Sequence, residues 1–332
     1  MHTLRWWTFE GDAWQITRDA RDAPAALAPA VYADFDAALA LAATYDIYYD
    51  FVLFSAPTAI PMEWITDAGD RAQLASALAP LFRRYRSNPH VLSWEVFNEP
   101  ELDVWADKIA EAPVRDTVRS IAAAVHENST AYVTVGSAML DGLPMWIGTG
   151  LDYYEAHWYD YMSHGDYCAA CTDFSAVKSR YGLDAPLVIG ELYAGPDTRD
   201  RFETFYRKGY AGAWPWSLFP ENTNDRLAVD MAQAGRLAAA HDDLGPRAGS
   251  ARPVSSRTPA IAPRSASPAA TASPSTPASR DAATPVPIDV TPGVDREVTP
   301  DRDAAPGFLS AIGVLIGQIF DAVGTFLRRI IS

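Results

Sequence analysis

Two glutamates directly follow apolar runs that are typical of buried strands. Glu99 comes after the run at 91–97, and Glu191 comes after the run at 187–190. A buried carboxylate is costly unless it is paired or hydrogen-bonded, so acids at these points indicate chemistry. Cleavage of a glycosidic bond needs one carboxylic acid to protonate the leaving oxygen and a second carboxylate to attack or to activate water. Glu99 and Glu191 are therefore the candidate catalytic pair, although Glu99, which precedes a proline, would also suit the start of a turn.

Other polar and aromatic residues stand at similar positions. The amide of Asn98 can bond a sugar hydroxyl, and Arg5 and Tyr159 could hold Glu191 ionised, because a neighbouring cation lowers a carboxylate pKa. Tryptophans offer flat apolar faces on which sugar rings stack. Each residue also has a plain structural interpretation, as a surface arginine or as a core histidine or tryptophan. The predicted substrate-binding residues are Arg5, Asn98, His157, Tyr159 and Trp216.

Strand and helix patterns alternate along the chain. Near-continuous apolar strands indicate a parallel sheet buried on both faces. An open doubly wound sheet would need a glycine-rich phosphate loop, and the sequence has none. A (β/α)8 TIM barrel instead places functional residues at the carboxyl ends of its strands, as found here. The predicted strands are 4–9, 47–54, 91–97, 131–135, 151–158, 186–192 and 211–217; the predicted helices are 35–45, 70–85, 114–126, 175–181, 199–208 and 227–241.

The order of these motifs resembles glycoside hydrolase clan A, and most closely the cellulase-like family 5, which includes β-mannanases. The segments that carry the resemblance are Arg5-Trp6-Trp7, Trp94–Pro100, His157-Trp158-Tyr159, Gly190-Glu191 and Trp214-Pro215-Trp216. The resemblance implies a retaining enzyme, with Glu99 as the acid/base and Glu191 as the nucleophile. It also implies that no metal or organic cofactor takes part.

The resemblance further assigns roles to the binding residues. Arg5 on strand 2 matches the arginine beside the nucleophile, and Asn98 matches the residue that binds the sugar 2-hydroxyl. His157 and Tyr159 match the His-x-Tyr of strand 6, and Trp216 matches the strand-8 tryptophan under the cleavage point. On this alignment the first strand and helix of the barrel are missing, and the histidine often found after strand 3 is not evident.

The predicted substrate is a β-linked glucan, mannan or related oligosaccharide. The alternative function is a catalytically impaired carbohydrate-binding or surface-anchored protein that keeps the barrel and its cleft. A transglycosylase and an interaction protein acting through its C-terminal helix are further alternatives.

Composition divides the chain into three parts. All 10 Trp and 15 Tyr lie within the first 216 residues, whereas 12 of the 25 Pro lie in 246–306. The sequence predicts a barrel over 1–245 with a net charge of −17, a disordered Pro/Ser/Thr/Ala-rich linker over 246–306, and an amphipathic helix over 307–332. A net charge of this sign disfavours a nucleic-acid partner.

The C-terminal helix and the cysteines leave alternatives open. Residues 308–331 suit an interfacial helix, a membrane anchor or a self-association helix. Cys168 and Cys171 suit a local disulfide, two free thiols or, with a ligand such as His164, a metal site. No signal peptide is visible, but the resemblance and the linker predict an extracellular or cell-surface protein.

Overall fold

The computed structural model describes residues 3–9, 15–163, 168–218 and 229–241. Within them, seven parallel strands form a nearly closed barrel with the order β1-β4-β5-β6-β7-β8-β9. This confirms the predicted α/β fold of TIM-barrel type. The strands are β1 (Thr3–Trp7), β4 (Tyr48–Phe54), β5 (Val91–Asn98), β6 (Tyr132–Ser137), β7 (Tyr154–His157), β8 (Leu187–Tyr193) and β9 (Gly212–Trp216).

Helices follow most of the strands and cover the outside of the barrel. They are α1 (Pro29–Tyr45), α2 (Glu63–Thr66), α3 (Ala68–Arg84), α4 (Pro100–Trp105), α5 (Glu111–Asn128), α6 (Phe174–Tyr181), α7 (Thr198–Arg207) and α8 (Met231–Ala240). The start of α3 is fixed by Asp67, whose carboxylate accepts hydrogen bonds from the backbone N–H groups of Gly69 and Asp70. Short 3₁₀ helices stand at 57–59, 140–146, 160–162 and 169–171.

One small sheet was not predicted. The strands β2 (Ile16–Arg18) and β3 (Pro24–Leu27) pair antiparallel ahead of α1. Only Ile16, Pro24 and Leu27 of this hairpin are buried, so its sequence lacks the long apolar run that marks the barrel strands. The predicted start of α1 was also too late, because Pro29 begins the helix six residues earlier.

Alternation along the strands separates two kinds of side chain. Neighbouring residues of a strand point to opposite faces of a sheet. In β4 the apolar Phe51 packs towards the helices, and Asp50 beside it is buried among polar groups. In β5 the same is true of Trp94 and Glu95. The strands therefore line the barrel interior with acids while they line the helical layer with aromatic rings.

Two predictions concern regions beyond the barrel. The linker over 246–306 and the amphipathic helix over 307–332 lie outside the described residues. Among the residues that are described, no helix combines the length and apolar character needed to cross a membrane.

Cys168 and Cys171 form a local disulfide, which decides between the alternatives left open for them.

Candidate active site

The predicted site residues come together at the carboxyl edge of the barrel. Arg5 lies on β1, Asn98 ends β5, and His157 ends β7. Glu191 lies on β8 and pairs in register with His157 of the neighbouring strand. Hydrogen bonds and ion pairs join Arg5, Asn98, Glu99, His157, Tyr159 and Glu191 into one network.

Arg5 is the centre of that network. Its Nη1 donates to Glu191 Oε1 at 2.6 Å, and its Nη2 donates to Asn98 Oδ1 at 2.7 Å. The other edge of the guanidinium donates from Nε and Nη2 to the two oxygens of Glu95, at 2.6 and 2.7 Å. Two parallel bonds to one carboxylate hold the plane of an arginine in a defined orientation. The side chain is 5% exposed, so these bonds are shielded from water.

Glu191 is held in its ionised form. Burial alone would raise its pKa, but the positive charges of His157 and Arg5 and the hydrogen bonds from Tyr159 and Arg5 bring the pKa below its ordinary value. The Tyr159 hydroxyl donates to Glu191 Oε2 at 2.5 Å. An ionised, oriented carboxylate in a buried site is what a nucleophile requires.

Glu99 pairs with His157 rather than with Arg5. His157 Nδ1 lies 2.7 Å from Glu99 Oε1 and 3.6 Å from Glu191 Oε2. Burial alone would lower the pKa of His157, but Glu191 and the hydrogen bond to Glu99 raise it above its ordinary value. The raised pKa favours the protonated form of His157 beside both carboxyls, and Glu99 is the more exposed of the two glutamates.

The backbone of Glu99 is held in an unusual conformation. Its φ of 45° and ψ of 43° are left-handed, which costs a residue other than glycine about 1–2 kcal/mol. Its N–H donates to the carbonyl of Gly136 at 2.6 Å. Glu101 accepts from Trp146 Nε1 at 2.5 Å, and Asp103 accepts from the hydroxyl of Thr58 at 2.6 Å. These bonds fix the start of α4 and with it the direction of Glu99.

The two proposed catalytic carboxyls are close neighbours. Glu99, His157 and Glu191 each offer an atom within 4.8 Å of the other two. Asp50, Glu95 and Glu155 form a second such group inside the barrel. Although both groups have the donors of a metal site, the Arg5 guanidinium bonds Glu95 and Glu191 and already supplies the positive charge to each.

Aromatic rings border the network. Trp216 ends β9 and packs against Trp7 with ring centroids 5.5 Å apart, and the Arg5 guanidinium carbon lies 5.6 Å from the Trp7 ring. Tyr159 stacks on Tyr161, which is 63% exposed, with the ring planes 5° apart. Trp216 thus borders the site through its contact with Trp7.

The three acids beneath the site were not among the predicted site residues. Glu95, Asp50 and Glu155 are fully buried within strands that otherwise read as apolar. Glu95 and Glu155 also depend on glycines, because a Cβ at Gly136 would collide with Glu95 and one at Gly190 would collide with Glu155. A charged residue in the middle of a buried strand is the signal that would have marked them.

Comparison with known proteins supports the resemblance. No family model matches the chain. The mannan endo-1,4-beta-mannosidase of Mytilus edulis is 28% identical in an alignment 198 positions long, which covers 46% of this chain and 53% of that protein. The chain thus spans about half the length of this curated relative. The predicted likeness to family 5 and clan A enzymes is confirmed by this homology and by the fold.

The blue mussel enzyme also has a solved structure with the same fold. The X-ray structure of beta-mannanase from the blue mussel Mytilus edulis aligns with a TM-score of 0.61 and 21% identity, over 74% of this chain and 82% of that one. The beta-glucanase SdGluc5_26A from Saccharophagus degradans aligns with a TM-score of 0.42 and 15% identity, over 63% of this chain and 71% of that one.

Proposed function

We propose that the chain is a retaining β-glycoside hydrolase that cleaves a β-linked mannan or glucan, with mannan as the first substrate to test. The observation that carries the proposal is the pairing of Glu99 with Glu191. The two carboxyls are adjacent, but they have different partners, His157 for Glu99 and Arg5 with Tyr159 for Glu191. Two carboxyls in different environments suit an acid and a nucleophile in one reaction.

In the first step, Glu99 protonates the glycosidic oxygen as the leaving sugar departs. Glu191 Oε attacks the anomeric carbon, so that the carbon–oxygen bond to the leaving group breaks as the bond to Glu191 forms. The result is a covalent glycosyl-enzyme. Arg5 and Tyr159 keep the attacking carboxylate ionised and oriented, and Asn98 is placed to bond the sugar.

In the second step, Glu99 acts as a base. It removes a proton from a water molecule, the water oxygen attacks the anomeric carbon, and Glu191 leaves as a carboxylate. Two inversions give net retention of configuration. Retaining enzymes have carboxyl groups about 5–5.5 Å apart, whereas inverting enzymes leave about 6.5–9.5 Å for a water. The separation of at most 4.8 Å between atoms of Glu99 and Glu191 supports the retaining course.

Mannan is favoured by the homology to the Mytilus edulis enzyme, which is named for that substrate. The site described here supports β-glycoside cleavage without selecting the sugar. The aromatic pairs Trp7–Trp216 and Tyr159–Tyr161 support an oligosaccharide substrate, because each pair places an aromatic ring beside a member of the network, Trp7 beside Arg5 and Tyr159 beside Glu191.

The test compares the wild type with Glu191→Gln and Glu99→Gln on β-1,4-mannan and on aryl β-mannosides and β-glucosides. We expect Glu191→Gln to lower kcat about 10,000-fold, by analogy with loss of a nucleophile, while circular dichroism stays unchanged. Glu127→Gln, an exposed substitution on α5, is the matched control and should keep full activity. Proton NMR of the first product should show the β-anomer.

Two results would contradict the proposal. If Glu191→Gln cleaves an aryl β-glycoside at the wild-type rate, the assignment of the nucleophile is wrong. If the wild type binds manno-oligosaccharides and never turns them over, the protein is a carbohydrate-binding barrel. Products longer than the substrate would instead indicate transglycosylation.

The compartment is a further part of the proposal. We place the protein outside the cell or at its surface, where a polysaccharide substrate would be met. The disulfide between Cys168 and Cys171 supports this, since disulfides persist mainly in oxidising compartments. Fractionation of cells that produce the full chain, probed with an antibody to the barrel, would test it.

A further inference from the structure

Three buried carboxyl groups meet beneath the proposed active site. Asp50 on β4, Glu95 on β5 and Glu155 on β7 each have an oxygen within 4.8 Å of the other two. All three residues are fully buried. Arg5 is the cation that the structure places among them. Three charged carboxylates around one guanidinium would leave two buried negative charges uncompensated, which is strongly unfavourable.

The hydrogen bonds show which carboxyl is charged. Glu95 accepts from both Nε and Nη2 of Arg5, at 2.6 and 2.7 Å. Glu155 Oε1 comes no closer than 3.4 Å to the same Nε and is not hydrogen-bonded to it. Asp50 Oδ1 accepts from the hydroxyl of Ser93 at 2.6 Å, and Asp50 forms no ion pair with another residue that the structure describes. Glu95 is thus the anionic partner of Arg5.

The remaining oxygens of the group lack donors. Within the described residues, Asp50 Oδ2 and both oxygens of Glu155 are buried and have no hydrogen-bond partner. Buried polar atoms are almost always hydrogen-bonded, so ionised oxygens here would be costly. A protonated carboxyl becomes a donor itself and can bond a neighbouring carboxylate. Protonation of Asp50 and Glu155 therefore removes both the surplus charge and the lack of donors.

We propose that Glu95 is a positioning residue, the buried anion that aims the Arg5 guanidinium at Glu191, and that Asp50 and Glu155 stand beside it as neutral acids. The role of Glu95 rests on the proposed function, since its effect on rate is exerted through Arg5 on the nucleophile. The protonation states of the three carboxyls are independent of that function.

The electrostatics of the group agree with this assignment. Burial and the charge of Glu95 raise the pKa of Asp50 to about 8. Burial and the charges of Glu95 and Asp50 raise the pKa of Glu155 well above its ordinary value. The other titratable and charged groups that face the three acids are Arg5 on β1, Tyr153 just before β7, His157 on β7 and Glu191 on β8.

The orientation of Arg5 depends on which carboxyl faces it. A carboxamide at position 95 would present one acceptor and one N–H₂ donor to the two donors of the guanidinium, so one of the two bonds would be replaced by a clash of donors. Arg5 would turn away from Glu191 as a result. A misplacement of about 1 Å in such a group can cost about 100-fold in rate.

The experiment compares Glu95→Gln with Glu155→Gln. The two variants make the same chemical change in the same buried group, so they are matched controls for each other. We expect Glu95→Gln to lower kcat on mannan about 100-fold with KM changed less than about threefold. Glu155→Gln, which imitates a neutral acid, should stay within about threefold of the wild type in both constants. Equal losses in the two variants would overturn the proposal.

A second measurement needs neither turnover nor a folded Glu95→Gln variant. In wild-type protein labelled with 13C at aspartate and glutamate carboxyls, the carbon resonances at neutral pH should show Glu95 ionised and Asp50 and Glu155 protonated. Asp50→Asn and Glu155→Gln identify the last two signals. An ionised Glu155 or Asp50, or a protonated Glu95, would overturn the assignment even in an inactive protein. Failure of the proposed function alone would leave these spectra as expected.

The guanidinium can be followed directly. The Nε–H of Arg5 should exchange slowly with solvent in the wild type and in Glu155→Gln, because the bond to Glu95 protects it. In a folded Glu95→Gln variant its 15N resonance should move and its exchange should quicken. An unchanged Arg5 resonance in that variant would show that Glu95 does not position the arginine.

Discussion

The inside of the barrel and the layer between barrel and helices are built from the same strands but follow opposite rules. In the helical layer, Phe35 of α1 and Phe82 of α3 pack on Phe51 and Trp94 with ring centroids 4.7–5.8 Å apart. Inside the barrel, one step along each strand, Asp50 and Glu95 are buried instead. Barrel interiors of this fold are ordinarily filled by branched apolar residues.

The two regions contribute differently to the stability of the fold and to the proposed reaction. Ring packing in the helical layer stabilises the fold through apolar burial and makes no contact with the site. The interior acids contribute little favourable burial of their own, since a buried ion pair rarely outweighs the cost of removing its charges from water. Among them, Glu95 fixes Arg5, and Arg5 in turn fixes Glu191. Substitutions in the helical layer should therefore lower stability and keep kcat, whereas substitutions around Arg5 should lower activity.

The largest effect should follow from loss of the central cation. Arg5→Met leaves Glu95 and Glu191 without their guanidinium, so we expect kcat/KM to fall about 1,000-fold and the unfolding free energy to drop by about 3–5 kcal/mol. Urea denaturation and mannan hydrolysis measure the two. Arg84→Met, which removes a half-exposed pair with Asp36, is the control and should change stability by less than about 1 kcal/mol. If Arg5→Met and Arg84→Met lost the same amounts of stability and activity, the buried arginine would have no greater role than an exposed one.

The helical layer should show the opposite pattern. Phe82→Ala leaves a cavity against Trp94, so the unfolding free energy should fall by about 3–5 kcal/mol. Well below the melting temperature, kcat should stay within about threefold of the wild type, because Phe82 lies on α3 and packs on Trp94 in the helical layer, on the other face of β5 from Glu95. Phe82→Leu keeps most of the volume and should cost less than about 1.5 kcal/mol. A loss of kcat in folded Phe82→Ala would mean that the helical layer also controls the site.

The interior acids should make stability fall as pH rises. Asp50 has a folded pKa of about 8 and an unfolded pKa near 3.9, so between these values the folded state binds one more proton than the unfolded state. Stability therefore decreases with pH in that window, by up to about 1.4 kcal/mol per pH unit. In Asp50→Asn this contribution disappears, and the melting temperature should fall less steeply between about pH 5 and about pH 8.

A surface aspartate provides the control for this slope. N–H groups of Asp70 and Gly69 lower the pKa of Asp67. Its carboxylate is ionised in both states above about pH 5, so Asp67→Asn should leave the slope in the same window unchanged. Parallel slopes for the wild type and Asp50→Asn would show that Asp50 is not a neutral acid in the fold.

The smallest effect should come from a single hydrogen bond at the edge of the interior. Tyr159→Phe removes the 2.5 Å bond to Glu191, which raises the pKa of the nucleophile because its ionised form loses a donor. We expect kcat/KM to fall about tenfold, and the acidic limb of its pH profile to move to higher pH. Tyr161→Phe, in the ring stacked on Tyr159, should leave that limb in place. A fixed limb in Tyr159→Phe would show that its hydroxyl does not control Glu191.

The sequence predicted the barrel because each strand has a signal of its own. Runs such as Val91–Asn98 are long and apolar, and the helices between them have apolar residues at helical spacing. The β2–β3 hairpin lacked such a run and was missed. Element ends were displaced by a few residues, as at α1, where the predicted range began at Phe35 and left out the first turn with the buried Val31.

The site was predictable only in part, for a related reason. Glu99 and Glu191 stand at strand ends, where topology alone brings them together. The contacts of Arg5 with Glu95 join residues 90 positions apart, and they depend on register and on the direction of each side chain. The different hydrogen-bond partners of the two glutamates, His157 for Glu99 and Arg5 for Glu191, also depend on register and side-chain direction. Such pairings follow from how the barrel closes, which the order of motifs does not specify.

The two glycines that make room for the interior acids also constrain how this sequence can change over evolutionary time. A methyl group at Gly190 would occupy the place of the Glu155 carboxyl, and one at Gly136 would occupy that of Glu95. Substitution at either glycine is tolerable only after its acid has been shortened, whereas the acid can shorten while the glycine remains. The order of mutations is therefore directional at both pairs. A lineage that fills position 190 first must displace the buried Glu155 side chain, whereas one that first shortens residue 155 can then accept a larger residue at position 190.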